Sequence, residues 1–426
     1  MKVLWITNIT FPEAQELLGG KGALRNSGGW LLGAADALVS DPSIQLTVAT
    51  VSEKVNNLTY LKGDRIDYYL LPFGRGNNRI NHEYEPLWNI IEKEVNPDVV
   101  HLHGTEFSHG LAYIEACGVE NVCLSIQGLV SACSYYYYYG LSKTEILKAT
   151  TIHSLLKGGI LKEYKDFKKR GEYEIQLIRK VRHIIGRTSW DRGRIWAINP
   201  DAVYHYCGET LRSEFYKEPV WNYDECLKHS IFLSQASYPL KGLHMVLRAM
   251  PFVLQHYPDA TLSIAGKDIT QNRGFIARLK LTDYGKIIKG LIKKNNLENC
   301  VCFTGPLDGG QMKKEYLKSN VFVCPSSIEN SPNSLGEAQV LGVPVVASYA
   351  GGIPDMMRNA ETYLYRFEEI ESLAQKICLV FDRQNNVDTS LVRATALDRH
   401  SPSNNVKNLV GIYKTIINAN PINEKN

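Results

Sequence analysis

The stretch IENSPNSLGEAQVLGVPVVASYAGGIPD, residues 328–355, decides how the rest of the chain is interpreted. The apolar run NVFVCPS directly before it predicts a buried strand. Ser331 then suits the N-cap of a helix, and Pro332 suits its first helical position. Gly342 falls where a helix commonly ends. The pattern therefore predicts a strand, a short loop and a helix in that order.

The start of this helix combines two features that favour different ligands. Unpaired amides near Asn333 and Ser334, together with the helix dipole, form a site suited to phosphate. Glu329 and Glu337 lie on either side of these amides. Carboxylates repel phosphate but accept hydrogen bonds from hydroxyls. A nucleotide sugar satisfies both features, because its diphosphate lies between a ribose and a second sugar.

Strand and helix patterns alternate along the whole chain and form two series. The first predicts strands at 2–7, 44–50, 68–73, 98–103, 121–126, 182–187 and 202–207; the second predicts strands at 230–235, 260–266, 299–305, 320–326, 343–348 and 362–366. Residues 209–228 are charged, contain Pro219 and lack a clean period, so they predict a linker. This arrangement is typical of α/β proteins with two doubly wound parallel-sheet domains facing across a cleft.

The sequence thus predicts a first domain over residues 1–208, a linker over 209–228 and a second domain over 229–400. A capped amphipathic helix at 401–419 is expected to return to the first domain.

Composition excludes several classes of protein. The 426 residues carry a net charge of only +4, which is too small for a typical nucleic-acid-binding surface. No apolar run reaches the length of a membrane span, and the first residues lack a signal-peptide core. Nine cysteines without CxxC pairs indicate reduced thiols, so we expect a cytoplasmic location.

The spacing of Glu329 and Glu337, followed by GGIPD, resembles the E-x7-E motif of the retaining family-4 glycosyltransferases, the glycosyltransferase group 1 proteins. The segments LKGLHMVLRAM, VCFTGPL and NSGGWLLGAADAL resemble further parts of that family in the same order. The resemblance implies the GT-B fold, with two Rossmann-like domains. It also implies retaining transfer of a sugar from a nucleoside diphosphate to a hydroxyl of a surface polysaccharide or lipid-linked glycan.

The family pattern implies roles for the residues of the donor site. Glu337 would hold the donor ribose, and Glu329 would act in catalysis by holding a hydroxyl of the donor sugar. The amides of Asn333 and Ser334 would bind the phosphates. Lys241 would reach the diphosphate as a second catalytic group.

Other expected donor contacts come from the first domain or depart from the family pattern. Gly28 and Gly29 would let the backbone of the first domain approach the ligand. Relatives usually carry an arginine shortly before the lysine, where this chain has Gln235. Arg187, at a predicted strand end, is the candidate to replace that charge, and a surface salt bridge is the alternative.

Two features of the sequence bear on catalysis. Gln127 stands where relatives often carry a histidine, and glutamine does not accept a proton at neutral pH. We therefore expect a front-face mechanism, in which the departing phosphate oxygen takes the acceptor proton. No DxD-like carboxylate pair is present in a suitable place, which predicts catalysis without metal and without another cofactor.

The histidines of the first domain suggest either zinc or ordinary packing. His101, His103 and His109 would need a further ligand, such as Glu106, to hold zinc. Core packing for His101 and a hydrogen bond at the cleft for His103 are favoured, because the sequence has no second pair of potential ligands at the spacing of a metal site. His103 is thus an acceptor-side candidate.

The segment SACSYYYYYG, residues 131–140, is followed by many lysines. Tyr135 and Tyr136 are acceptor-side candidates that would stack on sugar faces. Residues 135–170 also suit peripheral contact with an anionic membrane, at the inner membrane face. A solvated surface is the third interpretation of the same pattern.

Two other functions remain open from the sequence. A nucleotide-sugar epimerase of the same fold would convert the donor alone, although Gln127 offers no acid–base group for it. A non-catalytic partner subunit would bind donor without turnover, as the missing arginine and histidine suggest.

Overall fold

The computed structural model describes residues 1–19, 29–72, 84–271, 279–383 and 388–419. Contacts within the chain divide it into two compact units. Unit 1 contains residues 1–132 and 167–211 and the chain from Arg399 onward, and unit 2 contains residues 133–166 and 212–398.

Unit 1 is built on an eight-stranded sheet. Its strands are β1 (Lys2–Thr7), β2 (Gln45–Ser52), β3 (Thr59–Lys62), β4 (Ile66–Pro72), β5 (Val99–His103), β6 (Val122–Ser125), β7 (His183–Gly186) and β8 (Val203–Tyr206). They lie in the order β3-β4-β2-β1-β5-β6-β7-β8, and only β3 is antiparallel to its neighbour. The sequence predicted the other seven. It missed β3, a four-residue edge strand without a fully buried residue.

Unit 2 contains a six-stranded parallel sheet. Its strands are β9 (Leu227–Leu233), β10 (Thr261–Ile264), β11 (Val301–Phe303), β12 (Ser319–Cys324), β13 (Val345–Ser348) and β14 (Leu364–Tyr365). The order β11-β10-β9-β12-β13-β14 reverses direction between β9 and β12. Ligands of such sheets bind outside the carboxyl ends of the strands at the reversal, so the loops after β9 and β12 are the expected site. The predicted α/β class with parallel sheets is confirmed.

Helices cover the two sheets. The described ones are α1 (Pro12–Leu17), α2 (Gly29–Leu38), α3 (Glu85–Val95), α4 (His109–Cys117), α5 (Val130–Tyr136), α6 (Lys143–Lys148), α7 (Ile152–Lys157), α8 (Ile160–Lys180), α9 (Ser189–Ile198), α10 (Leu243–His256), α11 (Asp283–Lys294), α12 (Gly309–Lys318), α13 (Asn333–Leu341), α14 (Ile353–Met356), α15 (Ile370–Arg383), α16 (Ser390–Arg399) and α17 (Pro402–Ala419). In the described part of the chain, no helix combines the length and apolar character that crossing a bilayer requires.

Residues 133–166 pack in unit 2, although they lie between two segments of unit 1 in sequence. Arg248 of α10 donates to the Glu145 carboxylate of α6 at 2.7 Å. The Thr151 amide donates to the Asp283 carboxylate of α11 at 3.1 Å. The sequence predicts these residues to be in the first domain, because the local pattern continues without interruption. Side-chain contacts with α10 and α11 group them with unit 2 instead.

The final helix, α17, packs in unit 1 through a buried hydrogen-bond network. The Trp5 indole N–H donates to the Tyr413 hydroxyl at 2.9 Å, and the His101 Nδ1 lies 2.6 Å from the same oxygen. The other ring nitrogen of His101 lies 2.6 Å from the Ser125 hydroxyl. Burial lowers the pKa of His101 to about 3, so the ring is neutral at physiological pH. His101 therefore connects β5, β6 and α17 within the core.

Replacement of Tyr413 by Phe should destabilise unit 1. The Trp5 and His101 nitrogens would lose a partner while remaining buried, at a cost of about 1–3 kcal/mol. Urea denaturation followed by far-ultraviolet circular dichroism measures the loss. Tyr349→Phe is the matched control, because the Tyr349 side chain is 65 % exposed. Equal midpoints for the two variants would show that the network contributes nothing to stability.

Candidate functional site

The loops after β9 and β12 meet at the reversal of the second sheet. The Ser327 amide donates to the Leu240 carbonyl at 2.9 Å, which joins the two loops. Gly242 has φ of +71°, and a Cβ added there would lie 1.8 Å from the Pro325 carbonyl oxygen. Only glycine fits this approach, so the Lys-Gly pair brings Lys241 against the loop that carries Glu329.

Lys241 and Glu329 form the centre of the site. The Lys241 ammonium donates to Glu329 Oε1 at 2.5 Å, and the Ser326 hydroxyl donates to the same oxygen at 3.0 Å. Both charged side chains keep about one-fifth of their surface exposed, at 20 % and 18 %. Burial acts to lower the pKa of Lys241, but Glu329 and Tyr238 outweigh it and raise the pKa above its usual value. Lys241 is therefore a permanent cation in a partly enclosed position.

The glycine pair of the GGIPD segment fixes the backbone of Glu329. Gly351 has φ of +58°, and a Cβ at this position would lie 1.9 Å from the Glu329 carbonyl oxygen. The Gly352 amide donates to that oxygen at 2.9 Å. The turn after β13 thus packs directly on the loop after β12. This contact explains why Gly-Gly follows the two glutamates in the sequence.

Helix α13 begins one residue later than predicted. Its N-cap is Pro332, which makes no side-chain capping bond, so the assignment of Ser331 as the cap is wrong. Pro332 keeps extended backbone angles, φ −68° and ψ 119°, and the helical angles begin at Asn333. At the other end, the prediction for Gly342 is confirmed, because it caps the helix in the left-handed conformation with φ of +79°.

The first amides of α13 are available to a ligand. The amides of Leu335 and Gly336 donate to the Pro332 carbonyl at 3.0 and 3.3 Å. Those of Asn333 and Ser334 make no hydrogen bond within the described part of the chain, as expected for a helix N-terminus. The Asn333 Oδ1 atom is buried and has no partner among the described residues. An anion at this N-terminus would meet two unpaired amides.

Glu337 lies on the second turn of α13 and is held by two side chains. Arg212 donates to Glu337 Oε1 from Nε at 3.0 Å and from a terminal nitrogen at 2.8 Å. The Tyr316 hydroxyl lies 3.3 Å from Oε2. Burial raises the pKa of Glu337, and Arg212 opposes that rise. The sequence gives no signal for Arg212, because its segment has no periodicity and is predicted to be part of the linker.

The first-domain candidates line a separate small cavity in unit 1. His103, Gln127 and Arg187 border a space of about 50 Å³ at the carboxyl ends of β5, β6 and β7. Arg187 is buried against the Glu209 carboxylate at 2.9 Å and donates to the Ile126 carbonyl at 2.5 Å. Its charge is thus neutralised by a neighbour in this structure. Arg187 as a donor ligand stays a prediction that would require rearrangement of this pair.

His103 is a packed, neutral residue. Its ring lies 4.3 Å from the Trp5 ring and 3.7 Å from the His101 ring, measured between centroids. Burial is the main cause that lowers the pKa of His103 well below its usual value. Within the described residues, no three His, Cys, Asp or Glu side chains form a group that would hold a metal ion.

The remaining candidates are dispersed. Gln235 is exposed after β9, Tyr135 is exposed on α5, and Tyr136 is half-buried there. Both tyrosines belong to unit 2, whereas Gln127 and His103 belong to unit 1. Gly29 is the first residue of α2, and Gly28 lies outside the described residues. The structure therefore brings Glu329, Lys241 and the start of α13 together within unit 2 alone.

Comparison with known proteins agrees with this geometry. Residues 222–394 match the family model described as glycosyl transferases group 1, which confirms the resemblance to group 1 glycosyltransferases noted from the sequence. An uncharacterized glycosyltransferase of Methanocaldococcus jannaschii is 26 % identical over 192 residues, 44 % of this chain and 45 % of that protein. Sulfoquinovosyl transferase SQD2 of Arabidopsis thaliana is 36 % identical over 87 residues, 19 % of this chain and 17 % of that protein. The matches thus span less than half the length of these relatives.

Solved structures show the fold over almost the whole chain. Sucrose-phosphate synthase from Thermosynechococcus elongatus aligns with a TM-score of 0.71 at 14 % identity, covering 98 % of this chain and 99 % of that one. HepE from Anabaena, solved in complex with UDP and glucose, aligns with a TM-score of 0.64 at 15 % identity, covering 97 % and 100 %. At such identities the likeness shows the fold alone, and that fold is the predicted GT-B.

Replacement of Arg212 by Met should make stability depend on pH. Without the guanidinium, the pKa of the buried Glu337 rises further, so the folded state keeps a proton that the unfolded chain releases. The free energy of unfolding of the variant then falls as pH rises. We expect a loss of about 3–5 kcal/mol at about pH 8 and a smaller loss at about pH 5. Urea titrations at the two pH values measure both.

The double variant Arg212→Met with Glu337→Gln is the matched control. It removes the unpaired charge, so it should recover most of the stability lost at the higher pH. Two results would contradict the pairing. The first is that Arg212→Met lowers the free energy of unfolding equally at both pH values, and the second is that adding Glu337→Gln does not restore it.

Proposed function

We propose that this chain is a retaining glycosyltransferase that moves a sugar from a nucleoside diphosphate to a hydroxyl of a surface polysaccharide or lipid-linked glycan. The observation that carries the proposal is the Lys241–Glu329 pair, 2.5 Å apart, with Glu329 on the loop that leads into α13 and its unpaired first amides. The match of residues 222–394 to the group 1 family supports it. The complex of HepE with UDP and glucose supports a nucleotide-sugar donor.

The unit 2 site suits the donor in a defined orientation. Its diphosphate would lie on the amides of Asn333 and Ser334, with Lys241 as the neutralising cation. Glu329 would accept from a hydroxyl of the donor sugar while holding Lys241 in place. Glu337 would accept from the ribose through Oε2, since Oε1 is occupied by Arg212.

The chemistry follows from where charge develops. The bond between the sugar carbon and the phosphate oxygen breaks, and its electron pair stays on the diphosphate. Lys241 and the helix amides stabilise this growing negative charge more in the transition state than in the ground state. The acceptor oxygen bonds to the sugar carbon on the same face, and its proton passes to the departing phosphate oxygen. No side-chain base is required, in accord with Gln127.

Because Lys241 and the helix amides stabilise the charge on the diphosphate, no step requires a metal or another cofactor. We therefore propose that catalysis is independent of metal. Gln127 stays a proposed catalytic-site residue, and His103, Tyr135 and Tyr136 are the proposed acceptor-side residues. We propose a cytoplasmic location, with peripheral membrane contact through residues 135–170 when the acceptor is carried on a lipid.

A thermal-shift screen against nucleotide sugars tests the proposal, because a ligand that binds only the folded state raises the melting temperature. One donor should raise it, and the rise should persist with EDTA. Glu337→Ala should abolish the shift through loss of the ribose contact. Glu298→Ala is the matched control, because Glu298 is exposed in the same unit.

Turnover with that donor separates the proposal from its alternatives. A product with the donor's anomeric configuration supports retaining transfer. An altered sugar without acceptor would instead indicate an epimerase. If no nucleotide sugar shifts the melting temperature, or Glu337→Ala leaves the shift unchanged, the donor site described above is wrong.

A further inference from the structure

Helices α6 and α7 expose an unusual group of large apolar side chains. The exposed fractions are 65 % for Leu147, 54 % for Ile152, 76 % for Leu155 and 79 % for Leu156. Single exposed leucines are common on soluble proteins, but neighbouring ones on consecutive short helices mark an interaction surface. The Thr151 capping box fixes the start of α7, so these side chains are presented from ordered helices.

Lysines surround these apolar side chains. Lys148, Lys157 and Lys162 are exposed on α6, α7 and the first turn of α8. The Lys286 ammonium of α11 donates to the carbonyls of Lys148 and Thr150 at 3.0 and 3.1 Å, so this helix also borders the group. We define the α6–α7 surface as these four lysines with Leu147, Ile152, Leu155 and Leu156.

The nearby acidic groups have ion-pair or hydrogen-bond partners within unit 2. Glu145 is paired with Arg248 at 2.7 Å and also completes the capping box of α6. Asp283 is buried and accepts from the Thr151 amide. Glu163 accepts from the Tyr137 hydroxyl at 2.6 Å but remains exposed. The four lysines of the α6–α7 surface outnumber this one exposed carboxylate, so the charge presented to a partner is net positive.

We propose that the α6–α7 surface docks on an anionic lipid bilayer. Leu155 and Leu156 enter the boundary between headgroups and acyl chains, and the lysines contact the lipid phosphates. This partner fits better than a folded protein, because lysine is depleted in the cores of protein interfaces. Long lysine side chains extend from an apolar centre to charged headgroups without burying their ammonium groups.

This inference deepens the proposed function, because the α6–α7 surface would bring the protein to a membrane-borne acceptor. Only that link to the acceptor rests on the proposed function. Within the tyrosine run, Tyr137 is buried while Tyr135 and Tyr139 are exposed. The exposed leucines of α6 and α7 therefore add apolar contact beyond that of the tyrosines.

Co-sedimentation with lipid vesicles tests the proposal without any sugar nucleotide. The protein should bind vesicles of phosphatidylcholine mixed with phosphatidylglycerol, and bind phosphatidylcholine alone much less. The variant Leu155→Ser with Leu156→Ser should weaken binding roughly tenfold or more. Lys148→Gln with Lys157→Gln should weaken it by a similar factor, since each basic residue near an anionic surface contributes about fivefold.

Matched controls are available elsewhere on the chain. Leu391→Ser removes a leucine that is 58 % exposed on α16. Lys407→Gln with Lys414→Gln removes two exposed lysines of α17. Neither control should change vesicle binding by more than about twofold. All variants should keep the melting temperature and any donor-induced shift of the unmodified protein, which separates failure of this inference from failure of the proposed donor site.

Three results would overturn the proposal. The first is no binding to anionic vesicles, and the second is equal loss of binding in the control and test variants. The third is a concentration-dependent dimer in sedimentation velocity that Leu155→Ser with Leu156→Ser dissociates, because a second copy would then occupy the surface.

Discussion

Two close approaches of glycine to backbone carbonyls hold the candidate site together. Gly242 lies against the Pro325 carbonyl and Gly351 lies against the Glu329 carbonyl, at distances that leave no room for a Cβ. These contacts bring three loops from the carboxyl ends of β9, β12 and β13 to one point. The reversal of strand order between β9 and β12 makes the meeting possible, and the glycines make it close enough for Lys241 to reach Glu329.

The site also shows how carboxylates can lie close to a helix N-terminus with unpaired amides. Glu329 is paired with Lys241 and Glu337 is paired with Arg212, so neither presents an isolated negative charge. Each glutamate keeps capacity to accept from a hydroxyl, while the first amides of α13 remain for an anion. The two cations therefore make one small region suited to a ligand that carries both phosphates and hydroxyls, as the proposed donor does.

Local features of the site could be predicted from sequence, but long-range contacts could not. The strand, the helix and the cap at Gly342 follow from residues that lie next to each other. The helix start predicted from Ser331 and Pro332 is one position too early, because serine and proline both suit a helix start. Arg212 was missed because its partner, Glu337, is far away in sequence and its own segment has no periodicity. The packing of residues 133–166 with α10 and α11 likewise depends on contacts that no local pattern records.

The central claim is that backbone amides at the start of α13 bind the diphosphate. Proline is tolerated at the first position of a helix, so Asn333→Pro removes one amide without breaking α13, and Asn333→Ala removes the side chain alone. The decisive measurement is calorimetric titration of both variants with UDP, GDP, ADP, CDP and TDP. The account predicts that a nucleoside diphosphate binds and that Asn333→Pro weakens it roughly tenfold relative to Asn333→Ala, as the loss of a hydrogen bond to a charged group would. Equal affinities, or no binding by any nucleotide, would contradict it.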